Sequence, residues 1–366
     1  MIYLDEAASA PPRREVLEAM WPHLTSGFAN PASRHEPGLD AERALHQARR
    51  QVADHLGARA SEIIFTSGGT ESNNAAVKGI ALAAPRGKHL LVSAAEHPAV
   101  TESAAWLQRF GFTLEYVPVD TDGVVSVAAL ADLIRPDTTL VSIQTASNEV
   151  GTVQDIAALS AVAAEHDVPL HTDAVQAAGS MPLDVNDLGV RALSLAGHKL
   201  GTPKGIGVLY LRRRTPFEPL IHGGGQQGNR RSGTENVAGA VGMAAALQLS
   251  AEHDVAAWGR RRDEFIAQVE TSGARLTGHR SHRLPGHASF IVPGRSGESV
   301  LLDLERQGVC CSSGSACDAE STEPSPVLTA MGYTAEDAQT AIRFTFGPLT
   351  PQEHLHRAAQ ALAELA

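Results

Sequence analysis

The stretch VPLHTDAVQAAGSMPLDVNDLGVRALSLAGHKL, residues 168–200, holds two short apolar runs that each end in reactive side chains. VPLH leads into Asp173, and RALSLA into His198 and Lys199. Short continuous apolar runs bounded by turn residues fit strands buried on both faces of a sheet. Outward from here the same kind of run recurs. EIIFTS, HLLVSAAE, FTLEYVPV and TLVSIQTA precede the stretch and GIGVLYLR follows it, which makes seven runs. Helix-like segments such as DAERALHQARRQVADHLG, ESNNAAVKGIALAA and VQDIAALSAVAAEHD lie between them. This alternation predicts the α/β class, with a seven-stranded, mostly parallel sheet in a large domain.

Near residue 250 the pattern changes. AAALQLSAEHDVAAWGRRRDEFIAQVE reads as one helix, LLDLERQGVCC as a strand, HASFIVPG and IRFTFG as isolated strands, and HLHRAAQALAEL as a closing helix. A smaller α+β domain is expected, with residues 15–254 forming the large domain and 1–14 with 255–366 the small one.

The chain has 366 residues, with 30 Lys and Arg against 41 Asp and Glu, a formal net charge of −11. An acidic surface argues against direct nucleic-acid or anionic-membrane binding. Three cysteines without a CxxC give neither a disulfide framework nor a structural zinc site. No metal is expected, since HExxH is absent and His354 and His356, two apart, diverge on a helix. The start, MIYLDEAAS, has acids where a signal peptide has bases, and the longest apolar stretch, VAGAVGMAAALQL, is short of a span. A cytoplasmic location off the membrane is expected.

Ligands of such sheets sit beyond the carboxyl ends of the strands. After EIIF comes TSGGTESNN, where Gly69 and Thr70 open a helix whose free N–H groups and dipole suit a phosphate, although an ordinary capped turn reads the same. HLLVSA leads to His97, and TLVSIQTA to Asn148 and Glu149. Asp173 needs a cation or donors if buried, and Gln176 can reach the same space. A partly desolvated lysine such as Lys199 can bind a carbonyl covalently, although most lysines are solvated. Together these residues supply a phosphate cradle, a ring stacker, an acid for a pyridinium nitrogen and an amine, which is what pyridoxal phosphate requires. SSGSACDA, residues 312–319, reads as a loop, with Cys317 among residues too small to pack.

With YLDEAASAPP, FANPASRH, FTSGGTESNN, AEHPAV, SNEVG, HTDAVQAAG, AGHKLGTPKG, HGGGQQGNRRSGTEN, SSGSACDAESTEPS and AIRFTFG in order, the chain resembles cysteine desulfurases of the NifS/IscS type. These are fold type I pyridoxal-phosphate enzymes of the class V aminotransferase family. The resemblance implies that Lys199 holds the cofactor aldehyde, Asp173 pairs with the ring nitrogen and His97 stacks on the ring. Gln176 contacts the 3-oxygen, and Asn148 contacts that region and the substrate. Gly69, Thr70 and His198 cradle the phosphate, joined by Thr234 of a neighbouring subunit in a homodimer. Arg343 clamps the carboxylate of L-cysteine; strand alternation puts it opposite Ile342, Phe344 and Phe346. Cys317 is the nucleophile that takes the sulfur as a persulfide, releases alanine and serves sulfur-acceptor or iron–sulfur scaffold proteins.

The chain departs from the family's pattern at Ala196 (usually Ser), at Gln227 and Gly228 (usually an acid and a base), and at Ser9 and Ala10 (usually two threonines). The first removes a phosphate hydroxyl, and the second touches the substrate entrance or dimer contacts. Cys310 and Cys311 read as small packed residues pointing to opposite faces. Two other readings stay open. One is a class V relative, such as a selenocysteine lyase or a transaminase, that needs no attacking thiol. The other is a cofactor-bearing scaffold, which needs none of Lys199, Asp173, His97 and Cys317.

Overall fold

All seven runs enter one sheet. The computed structural model describes residues 1–83, 86–313 and 324–365. After a short β1 (Ile2–Tyr3), the sheet is built from β2 (Ile63–Thr66), β3 (His89–Ser93), β4 (Thr113–Val117), β5 (Thr138–Ser142), β6 (Leu170–Asp173), β7 (Ala192–Ala196) and β8 (Gly207–Leu211). Their order is β2-β8-β7-β6-β5-β3-β4. Pairs from β7 to β4 are parallel, whereas β8 runs against both neighbours, β2 and β7.

Every residue of β5, β6, β7 and β8 is buried, as non-alternating runs require. The period of two then decides which core each side chain enters. Val141, Val208 and Tyr210 face the cluster that includes Leu45 and Val52 of α2 (Glu36–His55) and Met243 of the helix Val237–Ser250. Leu140, Leu209 and Leu211 face the cluster of Val77 and Ile80 from α3 (Gly69–Ala83) and Val100 from α4 (Pro98–Leu107). The edge strand β4 is only partly covered.

A second set of strands has β10 (His287–Ile291) between β9 (Arg275–Leu276) and β12 (Ala341–Thr345), all antiparallel. The start of the chain joins it through a parallel bridge between Asp5 and Thr345, while β1 pairs in parallel with β11 (Val309–Cys310) in a two-stranded sheet of its own. Its core is aromatic: Phe265 meets Phe344 edge-on at 5.3 Å, with Phe290 and Phe346 alongside.

Two expectations are corrected here. The long helix near residue 250 is two helices, Val237–Ser250 and Val255–Glu270. Asp254 caps the second by accepting from the Ala257 N–H at 2.8 Å, which competes with helix continuation. LLDLERQGVCC is mostly helix, Gly297–Arg306, with Val300 and Leu304 buried one turn apart, and only Val309–Cys310 is extended. A short apolar run does not separate the two periods, and its Leu, Glu and Arg favour the helix. The adjacent cysteines do diverge. Cys310 pairs beside Tyr3, while Cys311 packs on the aromatic core, where burial pushes its thiol far above the usual range.

Candidate active site

The carboxyl ends of the sheet and β12 enclose a cavity of about 340 Å³. That volume lies within the range of small-molecule sites. Gly69 and Thr70 reach it from the start of α3, His97 from the start of α4, and Asn148 from the turn after β5. Asp173 and Gln176 come from the end of β6, His198 and Lys199 from the end of β7, and Arg343 from β12. Nine predicted residues thus share one cavity. Thr234 is exposed elsewhere, and Cys317 lies outside the described residues.

The first N–H groups of α3 have no intrahelical partner, and Gly69 and Thr70, which carry two of them, line the cavity. Backbone must approach closely here: a Cβ on Gly69 would lie 2.8 Å from Val175 Cγ2 and 3.3 Å from Ala196 Cβ. Ala196 is buried in that wall, so a small side chain is what the space takes.

Asp173 accepts from the Val175 N–H at 2.9 Å and from Asn73 Nδ2 at 2.6 Å. Burial pushes its carboxyl up, while those donors, His97 and Lys199 oppose the rise. Asn73 is nearly inaccessible, and its Oδ1 has no hydrogen-bond partner among the described residues. His97 caps α4, its Nδ1 accepting from the Ala99 N–H at 3.0 Å. Burial lowers its pKa, so the neutral ring carries its proton on Nε2.

Lys199 ends a single turn after β7, and its Nζ donates to the carbonyls of Ala7 and Ala8, the latter at 2.7 Å. Gln176 Nε2 also donates to the Ala7 carbonyl, at 3.0 Å. Ser9 Oγ lies 3.3 Å from His198 Nδ1, so the Ser9 departure keeps a hydroxyl on that histidine. Burial, with Lys199 and Lys204 nearby, brings His198 down to about 4 and keeps it neutral.

Arg343 is almost fully buried, on the face of β12 opposite Ile342 and Phe344. Nη1 donates to the Asn148 carbonyl and Nη2 to Asp5 Oδ1, each at 2.8 Å. Its backbone is bridged to Ser312, N–H to carbonyl at 2.6 Å one way and 3.1 Å the other. Glu149, beside it, accepts from Ser325 Oγ at 2.5 Å.

Burial pushes Glu149 from 4.5 up to about 7, with Ser325 and Arg343 opposing. Its folded pKa exceeds its unfolded one, so its stabilising contribution is complete below about pH 4.5 and is lost as pH rises through about 7. The loss amounts to roughly 3 kcal/mol. Urea unfolding of Glu149→Gln is therefore expected to show a smaller fall in stability across that window than the native chain. Equal falls would remove Glu149 as the cause.

Gln227 is not at the entrance. It is buried, accepting from the Phe65 N–H at 3.0 Å and from Arg49 Nη2 at 2.9 Å while donating to Glu235 at 2.5 Å. An amide both accepts and donates there, which an acid cannot do when ionised. Gly228 sits at φ +65°, a conformation suited to glycine.

The donor set fits pyridoxal phosphate: helix N–H groups at one end, a buried carboxyl at the other, an amine between, and a wall that excludes a Cβ. Sequence reasoning missed Asn73, Asp5 and the Ala7 and Ala8 carbonyls, and marked Ser9 only as a departure without its partner. Only Asn73 carried a signal, as a second polar residue one turn after Thr70 on an otherwise buried helix face.

The aminotransferase class-V family model matches residues 2–357. Cysteine desulfurase IscS of Dictyoglomus turgidum is 46% identical over 370 residues, which is 100% of this chain and 94% of that protein. A solved structure of a NifS-like protein aligns with a TM-score of 0.93 at 34% identity, covering 100% of this chain and 98% of that one. A structure described as SspA in complex with cysteine aligns at 0.85 and 36% identity, covering 96% and 100%. With a family model over nearly the whole chain and full-length relatives of this kind, the chain belongs to the aminotransferase class-V family and, within it, to the pyridoxal-phosphate-dependent cysteine desulfurases.

Proposed function

We propose that the chain converts L-cysteine to L-alanine, storing the sulfur as a persulfide on Cys317 for transfer to acceptor proteins. The observation that carries this reading is the convergence of Lys199, Asp173 and Arg343 on one cavity. When bound, pyridoxal phosphate supplies an aldehyde for the substrate amine and a ring that draws electron density from it. Gly69, Thr70 and His198 would hold its phosphate, Gln176 and Asn148 its ring oxygen, His97 its ring and Asp173 a proton on the ring nitrogen. Lys199 Nζ would hold the aldehyde and move protons at the substrate carbon. Arg343 binds the substrate carboxylate through its planar fork, already oriented by Asp5 and the Asn148 carbonyl. The balance is L-cysteine plus the Cys317 thiol giving L-alanine plus the Cys317 persulfide.

Thr234 of a second copy reaches the phosphate, so the working form is a homodimer, and the acidic chain acts in the cytoplasm. The aromatic cluster separate from the main core supports two domains, 15–254 and 1–14 with 255–366. Sulfur passes to an iron–sulfur scaffold or a tRNA-thiolation protein.

Purified protein given L-cysteine and a thiol reductant is expected to release alanine and sulfide in equal amounts. No alanine despite a bound cofactor would overturn the reading.

A further inference from the structure

We propose that His287 is a positioning residue of the substrate site: its imidazole holds the Asn148 carbonyl that orients Arg343, and so sets the affinity for the carboxylate of an amino-acid substrate. This rests on the reading of Arg343 as the carboxylate clamp.

His287 starts β10, and its backbone faces Thr345 of β12, two residues from Arg343. Its Nε2 lies 3.1 Å from the Asn148 carbonyl oxygen, the same atom that accepts from Arg343 Nη1 at 2.8 Å. A carbonyl only accepts, so Nε2 carries the proton and Nδ1 is bare. The packing agrees. Nδ1 has no hydrogen-bond partner among the described residues and faces Gly151, where a Cβ would come within 2.7 Å of it. Gly151 sits at φ +78°, so both its conformation and this contact ask for glycine. The ring is 2% exposed, with the guanidiniums of Arg343, Arg283 and Arg262 around it, which keeps it neutral. Two donors therefore occupy the two lone pairs of one carbonyl. The Asn148 peptide cannot turn without breaking both bonds, and Asn148 and Arg343 both line the substrate cavity. Removing the imidazole leaves Arg343 as the sole donor and frees the peptide and the guanidinium to shift together.

The test compares His287→Leu, which has similar bulk and no donor, with His287→Gln, whose amide replaces the Nε2–H. Holoenzyme is used, and cofactor content and thermal unfolding are checked first. His287→Leu is expected to raise KM for L-cysteine about tenfold with kcat within about twofold, as for one lost hydrogen bond. Calorimetric titration with L-alanine, which undergoes no desulfuration, is expected to weaken by the same factor. Binding of cysteamine, which lacks the carboxylate, is expected to stay unchanged, and His287→Gln to return both values toward native. Should the leucine variant not fold, His287→Asn, whose shorter amide falls short of Asn148, is read the same way. Arg343→Ala is the control. If it weakens L-alanine and His287→Leu does not, the proposal fails while the clamp stands. If Arg343→Ala has no effect, the clamp reading itself fails. Equal weakening of L-alanine and cysteamine would make His287 a packing residue and overturn the proposal.

Discussion

Lys199→Ala is expected to lower kcat for L-cysteine by about a thousandfold or more. No other lysine lines the cavity among the described residues, so no second amine can take its place. Its Nζ is aimed by the carbonyls of Ala7 and Ala8, which accept its protons and hold it beside Asp173, Gln176 and His198. The variant keeps the phosphate cradle of α3 and the Asp173–Asn73 pair, since neither uses the lysine. Cofactor is therefore expected to bind, with changed visible absorption and easier loss on dialysis. Added ethylamine is expected to restore part of the rate by supplying an amine. Activity within tenfold of the native chain would remove Lys199 from the chemistry.

Cys317→Ser is expected to abolish sulfide and alanine release, again by about a thousandfold or more, because on the proposed reading its thiolate is the nucleophile and a hydroxyl cannot store sulfur. L-cysteine is still expected to change the cofactor absorption, because the lysine, the acid and the arginine are intact. The segment's described flanks support this role. Ser312 is bridged to the backbone of Arg343, and Ser325 donates to Glu149 beside Arg343, so both described flanks lie next to the cavity. The other thiols are poor substitutes, since Cys311 packs on the aromatic core with a strongly raised pKa and Cys310 is engaged with β1. Sulfide release by the variant at native rate would point to a class V lyase that needs no thiol.

What was legible in the sequence followed from periodicity and from where polar residues interrupt it. Seven runs without alternation became strands of one sheet, all but the edge strand β4 buried on both faces, and residues at their ends became the cavity. Second partners were not legible, because they come from distant chain. Asn73 and Asp173 lie 100 positions apart, and Asp5 and Arg343 lie 338 apart. No local pattern encodes such a pair. The partners of Gln227 were hidden for the same reason: Arg49 and Phe65 lie on α2 and β2. The break at Ala251–Asp254 was hidden by helix-favouring residues on both sides, and only the capping bond of Asp254 resolves it.

The hold of residues 5 to 9 on Arg343, Lys199 and His198 has a consequence for how the protein is made. Synthesis runs from Asp5 toward Arg343, so the carboxylate that aims the guanidinium leaves the ribosome 338 residues before its partner. At about 5–20 residues per second, that is a wait of tens of seconds. On the proposed reading of Lys199, Gly69, Thr70 and Arg343, the nascent chain until then has a lysine and a phosphate cradle but no place for a substrate carboxylate. On that reading desulfuration is expected to be withheld from unfinished chains, and a ribosome-stalled fragment ending before β12 is expected to bind cofactor without releasing sulfur.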